Sequence, residues 1–265
     1  MEFLLCYNDK KREGESTMKK LFEKDEIGFA LIWIGIYVAG FSCADMISEA
    51  MGMPKLLTVL YGLVLSVCLY GFIRRNHLSE YLGLRHVQGS GRQYLYYIPL
   101  MIVSSVNLWH GFALNGSAAE IILYVISMCF VGFLEEVIFR GLLFKGMYKS
   151  NLTSAVIVSS VTFGMGHIVN LFLGEPLAAT LLQLLYASAI GFCYTALFCA
   201  GGSLLPCILS HAFINATSVF APEPSLEKQV LFSCVLIVLD VGYGLWLLRR
   251  IKGADRAGNH DTEQA

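Results

Sequence analysis

The sequence predicts an all-α membrane bundle of about eight transmembrane helices with both termini cytoplasmic. Three observations predict it. Of 265 residues, 56% are hydrophobic and only 15% charged, where a soluble domain carries about 25% charged residues. The apolar runs are long and nearly uncharged, as lipid-facing helices require. The basic residues fall in alternate loops, which is how a chain that crosses and recrosses a bilayer distributes them.

Crossing the hydrocarbon core takes roughly 20 apolar residues as helix. Runs of that kind lie near 27–48, 56–73, 94–112, 119–139, 153–173, 177–199, 203–220 and 229–248. The fourth continues past Arg140 to Phe144. The sixth and seventh are separated only by 200–202, yet together they are far too long for one span. Loop charge supports the count. Six basic residues precede Ile27, four lie from Arg74 to Arg92, three from Arg140 to Lys149 and four from Arg249 to Arg256. The other side keeps Lys55 and Lys228. Removing any one span would scramble this segregation, and the positive-inside rule then makes both termini cytoplasmic.

Residues 1–26 form a polar cytoplasmic segment without secretory-signal character, so the first apolar run reads as an anchor. Met18-Lys19-Lys20 resembles a translation start, preceded by Glu13-Gly14-Glu15, so Met18 is an alternative start to Met1. Residues 249–265 form a cytoplasmic tail, polar after Lys252 and expected to be unstructured. A net charge of -1 gives no basic excess for nucleic acid. None of the eight cysteines shows CxxC spacing, and all but Cys6 lie in apolar runs, where they read as small hydrophobes.

A charge at mid-bilayer costs about 2.5–3.5 kcal/mol, so polar residues inside the spans are the functional suspects. The fourth span contains Glu135-Glu136 and then Arg140. Glu136 and Arg140, four apart, share a helix face and can pair. Glu135 points about 100° away and has no basic neighbour on its own face, which suits it to general acid–base duty. For Glu136 a structural role competes evenly with a functional one, and for Arg140 the structural ion pair is the plainer reading. The fifth span holds Phe163-Gly164-Met165-Gly166-His167. A lone histidine there is as readily a hydrogen-bonded core residue, while the glycines admit close approach of a neighbour. The seventh span holds His211 and Asn215 on one face. The pair can donate to a developing oxyanion, or simply hydrogen-bond between helices. Counted along the helices, Glu135, His167 and His211 lie very roughly 14, 21 and 12 Å from the cytoplasmic ends, compatible with one layer. Asp240, Gln183 and Cys207 are weaker candidates; helix–helix hydrogen bonding or plain packing accounts for each. The tryptophans and the Tyr94, Tyr96, Tyr97 cluster read as interface anchors or packing.

Taken in order, Glu135-Glu136 with Arg140, Phe163 with His167, and His211 with Asn215 resemble the CPBP intramembrane endopeptidases. That family includes the type II CAAX prenyl proteases and the bacterial Abi proteins. The resemblance spans residues 135–215. It leaves the first three spans (27–112) without a motif and makes 119–248 the protease-like part. It implies peptide-bond hydrolysis within the membrane, on a peptide or protein substrate, lipidated or not. Glu135 would activate a water together with His167, and His211 and Asn215 would form the oxyanion hole. Glu136 and Arg140 would hold the helix and the electrostatics, with Phe163 supporting and no cofactor. The site is expected to open toward the cytoplasm, and the protein to lie in the cell membrane if its source is prokaryotic. Three other readings stand beside this one: a zinc protease with Glu135, His167 and His211 as ligands, a non-catalytic immunity or partner-binding membrane protein, and a transporter or proton relay.

Overall fold

The computed structural model describes residues 17–87 and 95–263, without the side chains of Tyr96, His110 and residues 252–263. Cys6, Arg92, Tyr94 and residues 1–16, including the first of the two start positions, lie outside the described residues. Every regular element among the described residues is helical. Helix α1 (Thr17–Lys24) leads through Asp25 into α2 (Glu26–Ala50). Asp25 is the N-cap of α2, its carboxylate accepting from the Gly28 N–H at 2.8 Å. Then come α3 (Leu56–Arg75), α4 (Ile98–Ser104) and α5 (Ala118–Glu135). A capping box between Ser117 and Glu120 starts α5. This helix passes without a break into a π-helical segment, Glu136–Phe144, and a last α-turn, α6 (Lys145–Tyr148). Helix α7 (Leu152–Met165) starts on an Asn151 cap and ends in a 3-10 segment, Gly166–Leu171. Helices α8 (Leu177–Gly201), α9 (Leu205–Thr217) and α10 (Leu226–Glu263) complete the bundle.

Six of these stretches are long and apolar enough to cross a membrane: Glu26–Ala50, Leu56–Arg75, Ala118–Tyr148, Leu152–Leu171, Leu177–Gly201 and Leu226–Ile251. Large apolar side chains such as Leu31, Leu60, Val67 and Val238 are exposed along them, as a lipid-facing surface demands. The chain is an integral membrane protein. Two of the eight expected spans are built differently. The seventh is a shorter apolar helix, Leu205–Phe220. The third is broken into α4 between two 3-10 pieces, Leu95–Tyr97 and Val106–His110. The break has a local cause. Ser104 and Ser105 turn their hydroxyls back onto the carbonyls of Leu100 and Ile102, and Gly111 at φ 100° ends the run. Helix α10 continues to Glu263, through most of the segment expected to be an unstructured tail.

The loops gather on two faces. On one, Glu26 accepts from Tyr81 at 2.8 Å and pairs with Lys149 at 2.6 Å. That hydrogen bond to Glu26 raises the pKa of the Lys149 ammonium. Arg85 donates to the Gly202 carbonyl, and the Leu204 N–H to Gly83, both at 2.8 Å. This face carries Lys24, Arg74, Arg75, Arg85 and Lys149 and is called the basic face below. On the opposite face Lys55 pairs with Asp45 at 2.6 Å, and the 111–117 loop bonds to the chain after α9 through Ala113 to Phe220 and Asn115 to Ala221. Helix packing then sets the interior. Helix α5 lies against α3 and α9, α2 against α3 and the π segment, and α8 against α7 and α10.

Candidate active site

The π segment is where the bundle holds its charge. Glu136 and Arg140 are both fully buried and pair at 3.0 Å, as their spacing predicts. The guanidinium also stacks over the Phe163 ring, its central carbon 4.1 Å from the centroid, with Tyr194 at 5.8 Å on another side. The two rings attract the cation where, among the described residues, Nε and Nη2 have no hydrogen-bond partner. Room for it comes from Gly191, where a Cβ would stand 2.9 Å from Arg140 Nη2. Phe163, which the resemblance makes a supporting residue, thus seats the arginine and packs edge-on against both His167 and His211.

Histidine 211 joins the two glutamates. Its Nδ1 is 2.8 Å from Glu136 Oε1 and its Nε2 is 3.3 Å from Glu135 Oε2. With the Nδ1 proton given to Glu136, Nε2 is left facing Glu135. This closeness depends on Gly132, one turn before Glu136. A Cβ there would fall 2.7 Å from the Ala212 nitrogen, so only glycine lets α9 come this near to α5.

Glu135, His167, His211 and Asn215 all line one cavity of about 390 Å³, brought there by α5, the 3-10 turn after α7, and α9. Glu136 and Arg140 lie beneath it, outside the lining. His167 is held through Nδ1 by Gln183 Nε2 at 3.2 Å, and Gln183 Oε1 in turn accepts from Asn170 at 2.8 Å. Gln183, expected only to bond between helices, therefore positions a site histidine.

Tyr37 was not legible as a site residue. It sits in the middle of α2 among apolar neighbours and donates to Glu135 Oε1 at 2.6 Å from 98 residues away. Its only signal in the sequence is a hydroxyl set within the apolar stretch Phe29–Phe41. Asn107, on the broken third segment, also lines the cavity and donates to Ile214 O and Thr217 Oγ1, bracing the end of α9. Cys207 donates to the Tyr194 carbonyl, and Asp240 is fully buried away from the cavity lining.

Among the described residues, no group of three or more His, Cys, Asp or Glu side chains is arranged to hold a metal ion. The arrangement offers a carboxylate at a cavity wall, two imidazoles and an amide, which are the parts needed to activate a water and receive a developing negative charge.

Compared with known families, residues 117–217 match the type II CAAX prenyl endopeptidase Rce1-like family. The match covers α5 to α9 and so contains every residue of the three motifs; the resemblance read from the sequence is borne out over that region. None of the curated proteins or solved structures matches the chain. Helices α2 and α3 lie outside the matched segment, yet α2 supplies a hydroxyl that donates to Glu135.

One expectation is corrected by the geometry. Termini and site opening were placed on the same side. The cavity instead runs toward the face opposite the basic one: its outer lining includes Asp45, Lys55, Thr58, Tyr124, Leu173 and Ser218, at helix ends and loops of that face.

Proposed function

We propose that the chain is a metal-independent intramembrane endopeptidase in which Glu135 is the general base. The convergence of Glu135, His167, His211 and Asn215 on one cavity, over a buried Glu136–Arg140 pair, carries this reading. A water held between Glu135 and His167 attacks the scissile carbonyl carbon, and Glu135 takes its proton. The carbonyl oxygen becomes an oxyanion that accepts from Asn215 and from His211 Nε2–H, which requires a His211 that carries a proton on both nitrogens before the attack, Nδ1–H toward Glu136 and Nε2–H toward Glu135. On collapse the C–N bond breaks and Glu135 returns the proton to the leaving amine, giving a carboxylic acid and an amine, whose remaining exchange of a proton leaves a carboxylate and an ammonium. A positioned base contributes about 10²–10⁴-fold, and each oxyanion donor about 10²–10³-fold. Tyr37 and Gln183 act by holding Glu135 and His167 at the cavity wall.

The test is cleavage of a fluorogenic peptide library, including farnesylated CAAX peptides, by the detergent-purified protein. Wild type is expected to cleave with or without chelator. Glu135→Ala and His167→Ala are expected to lose at least 10²-fold of the rate. Loss of wild-type activity with chelator and its return with zinc would replace this mechanism by the zinc reading. Variants as active as wild type would end both.

A further inference from the structure

The charge on the two faces and the direction of the cavity, taken together, say from where substrate arrives. We propose that the catalytic cavity opens to the extracytoplasmic side, and that its substrate is a polypeptide segment presented from there. This rests on the protease reading for the substrate, and on the cavity and the loop charge for the sidedness.

The cavity has a closed end and an open one. Its deep end is walled by Phe139 and Tyr194, and beyond them the core cluster of Phe144, Ala155, Phe198 and Leu204 fills the space toward the basic face. Its other end merges with a wider recess that shares Lys55, Asn107, Tyr124 and Ser218 with it. That recess is bordered by the loops at Pro54, Asn115, Glu175 and Pro222, all on the face opposite the basic one. A chain entering the site therefore comes past these loops.

The same two faces differ sharply in charge. The recess is lined by Glu49, Glu120, Glu175 and Glu223 against Lys55 alone, and Lys55 is already engaged by Asp45. Lys228 is the other cation of that face, while Lys24, Arg74, Arg75, Arg85 and Lys149 stand on the opposite one. Short loops rich in Lys and Arg stay in the cytoplasm. The basic face is then cytoplasmic and the recess faces out. Long-range ties hold each loop to its face, Tyr81 and Lys149 to Glu26 on one and Asn115 to Ala221 on the other, so the assignment does not depend on a single helix.

Sidedness can be read without any substrate. Glu175→Cys on the recess and Glu80→Cys on the basic face are each exposed positions. They would be labelled with a membrane-impermeant maleimide in spheroplasts, before and after permeabilisation, against the parent protein as background. The expected result is labelling of Glu175→Cys in intact spheroplasts and of Glu80→Cys only after permeabilisation. The reverse pattern, or labelling of Glu175→Cys only after permeabilisation, overturns the proposal. In a second arm an impermeant peptide substrate is supplied to right-side-out and to inverted vesicles. Cleavage confined to right-side-out vesicles is expected, and cleavage confined to inverted ones refutes it. If neither vesicle type cleaves while the labelling holds, the protease reading has failed and the sidedness has not.

Discussion

Replacing Gly132 with alanine tests whether the approach of α9 to α5 assembles the site. The new Cβ would lie 2.7 Å from the Ala212 nitrogen and 2.9 Å from its Cα, where ordinary contact begins at 3.4 Å. These are backbone atoms and cannot rotate aside, so the helices must part by about 0.7 Å in a close-packed interior. The neighbouring His211 moves with α9. Its 2.8 Å contact to Glu136 and 3.3 Å contact to Glu135 would stretch to about 3.5 and 4.0 Å, beyond good hydrogen bonding. Overpacking costs about 1–3 kcal/mol, and the gain in helix propensity from Gly to Ala returns about 1 kcal/mol of it. Stability should therefore fall modestly. Catalysis is more sensitive, since a misplacement near 1 Å can cost about 10²-fold. Cleavage rate and unfolding midpoint in detergent would be measured together. The expected outcome is a 10- to 100-fold slower enzyme with a slightly lowered midpoint. A Gly132→Ala protein with wild-type rate and midpoint would refute the claim that this contact sets the site.

Other perturbations separate support from chemistry. Arg140→Met leaves Glu136 buried without its cation, a loss of about 3–5 kcal/mol, to be seen as a collapsed unfolding midpoint; Glu136→Gln with Arg140→Met should recover much of the stability but not the rate. Tyr37→Phe removes a hydrogen bond to a carboxylate, worth about 1.5–3 kcal/mol. It should lower kcat roughly tenfold or more, leave KM nearly unchanged and alter the pH–rate profile, whereas an unchanged profile would make Tyr37 merely structural. Gln183→Leu frees the His167 ring and should slow cleavage roughly tenfold, with the unfolding midpoint measured beside it to exclude general damage.

The sequence revealed the site where it paid a visible energetic penalty. Glu135, Glu136, His167 and His211 are expensive inside a membrane, and their spacing placed Glu136 with Arg140 and His211 with Asn215 before any coordinates. What it hid was what costs nothing locally. Tyr37 sits comfortably in an apolar helix, and only a contact 98 residues away gives it meaning. The break in the third span hid because Ser104, Ser105 and Asn107 are averaged with the apolar residues around them, and the hydroxyls of Ser104 and Ser105 compete for backbone carbonyls only once the chain has turned. The π segment at Glu136–Phe144 has no signature in hydropathy at all. The opening of the cavity was misplaced for a similar reason. Loop charge told the two faces apart, but which end of the bundle is plugged depends on how Phe144, Phe198 and Leu204 pack, and that is a property of three helices at once.

A cavity of about 390 Å³ lies near the low end of small-ligand pockets. On the proposed protease reading, a substrate would enter it as a few residues of extended chain, and the looseness of the segment offered would decide what is cut. A stable transmembrane helix offered to it would have to unwind, and each peptide group released in an apolar surrounding costs several kcal/mol. On that reading intact neighbours in the same bilayer would be spared without any recognition of their sequence, and a polypeptide segment with no fold of its own would be the one to fit.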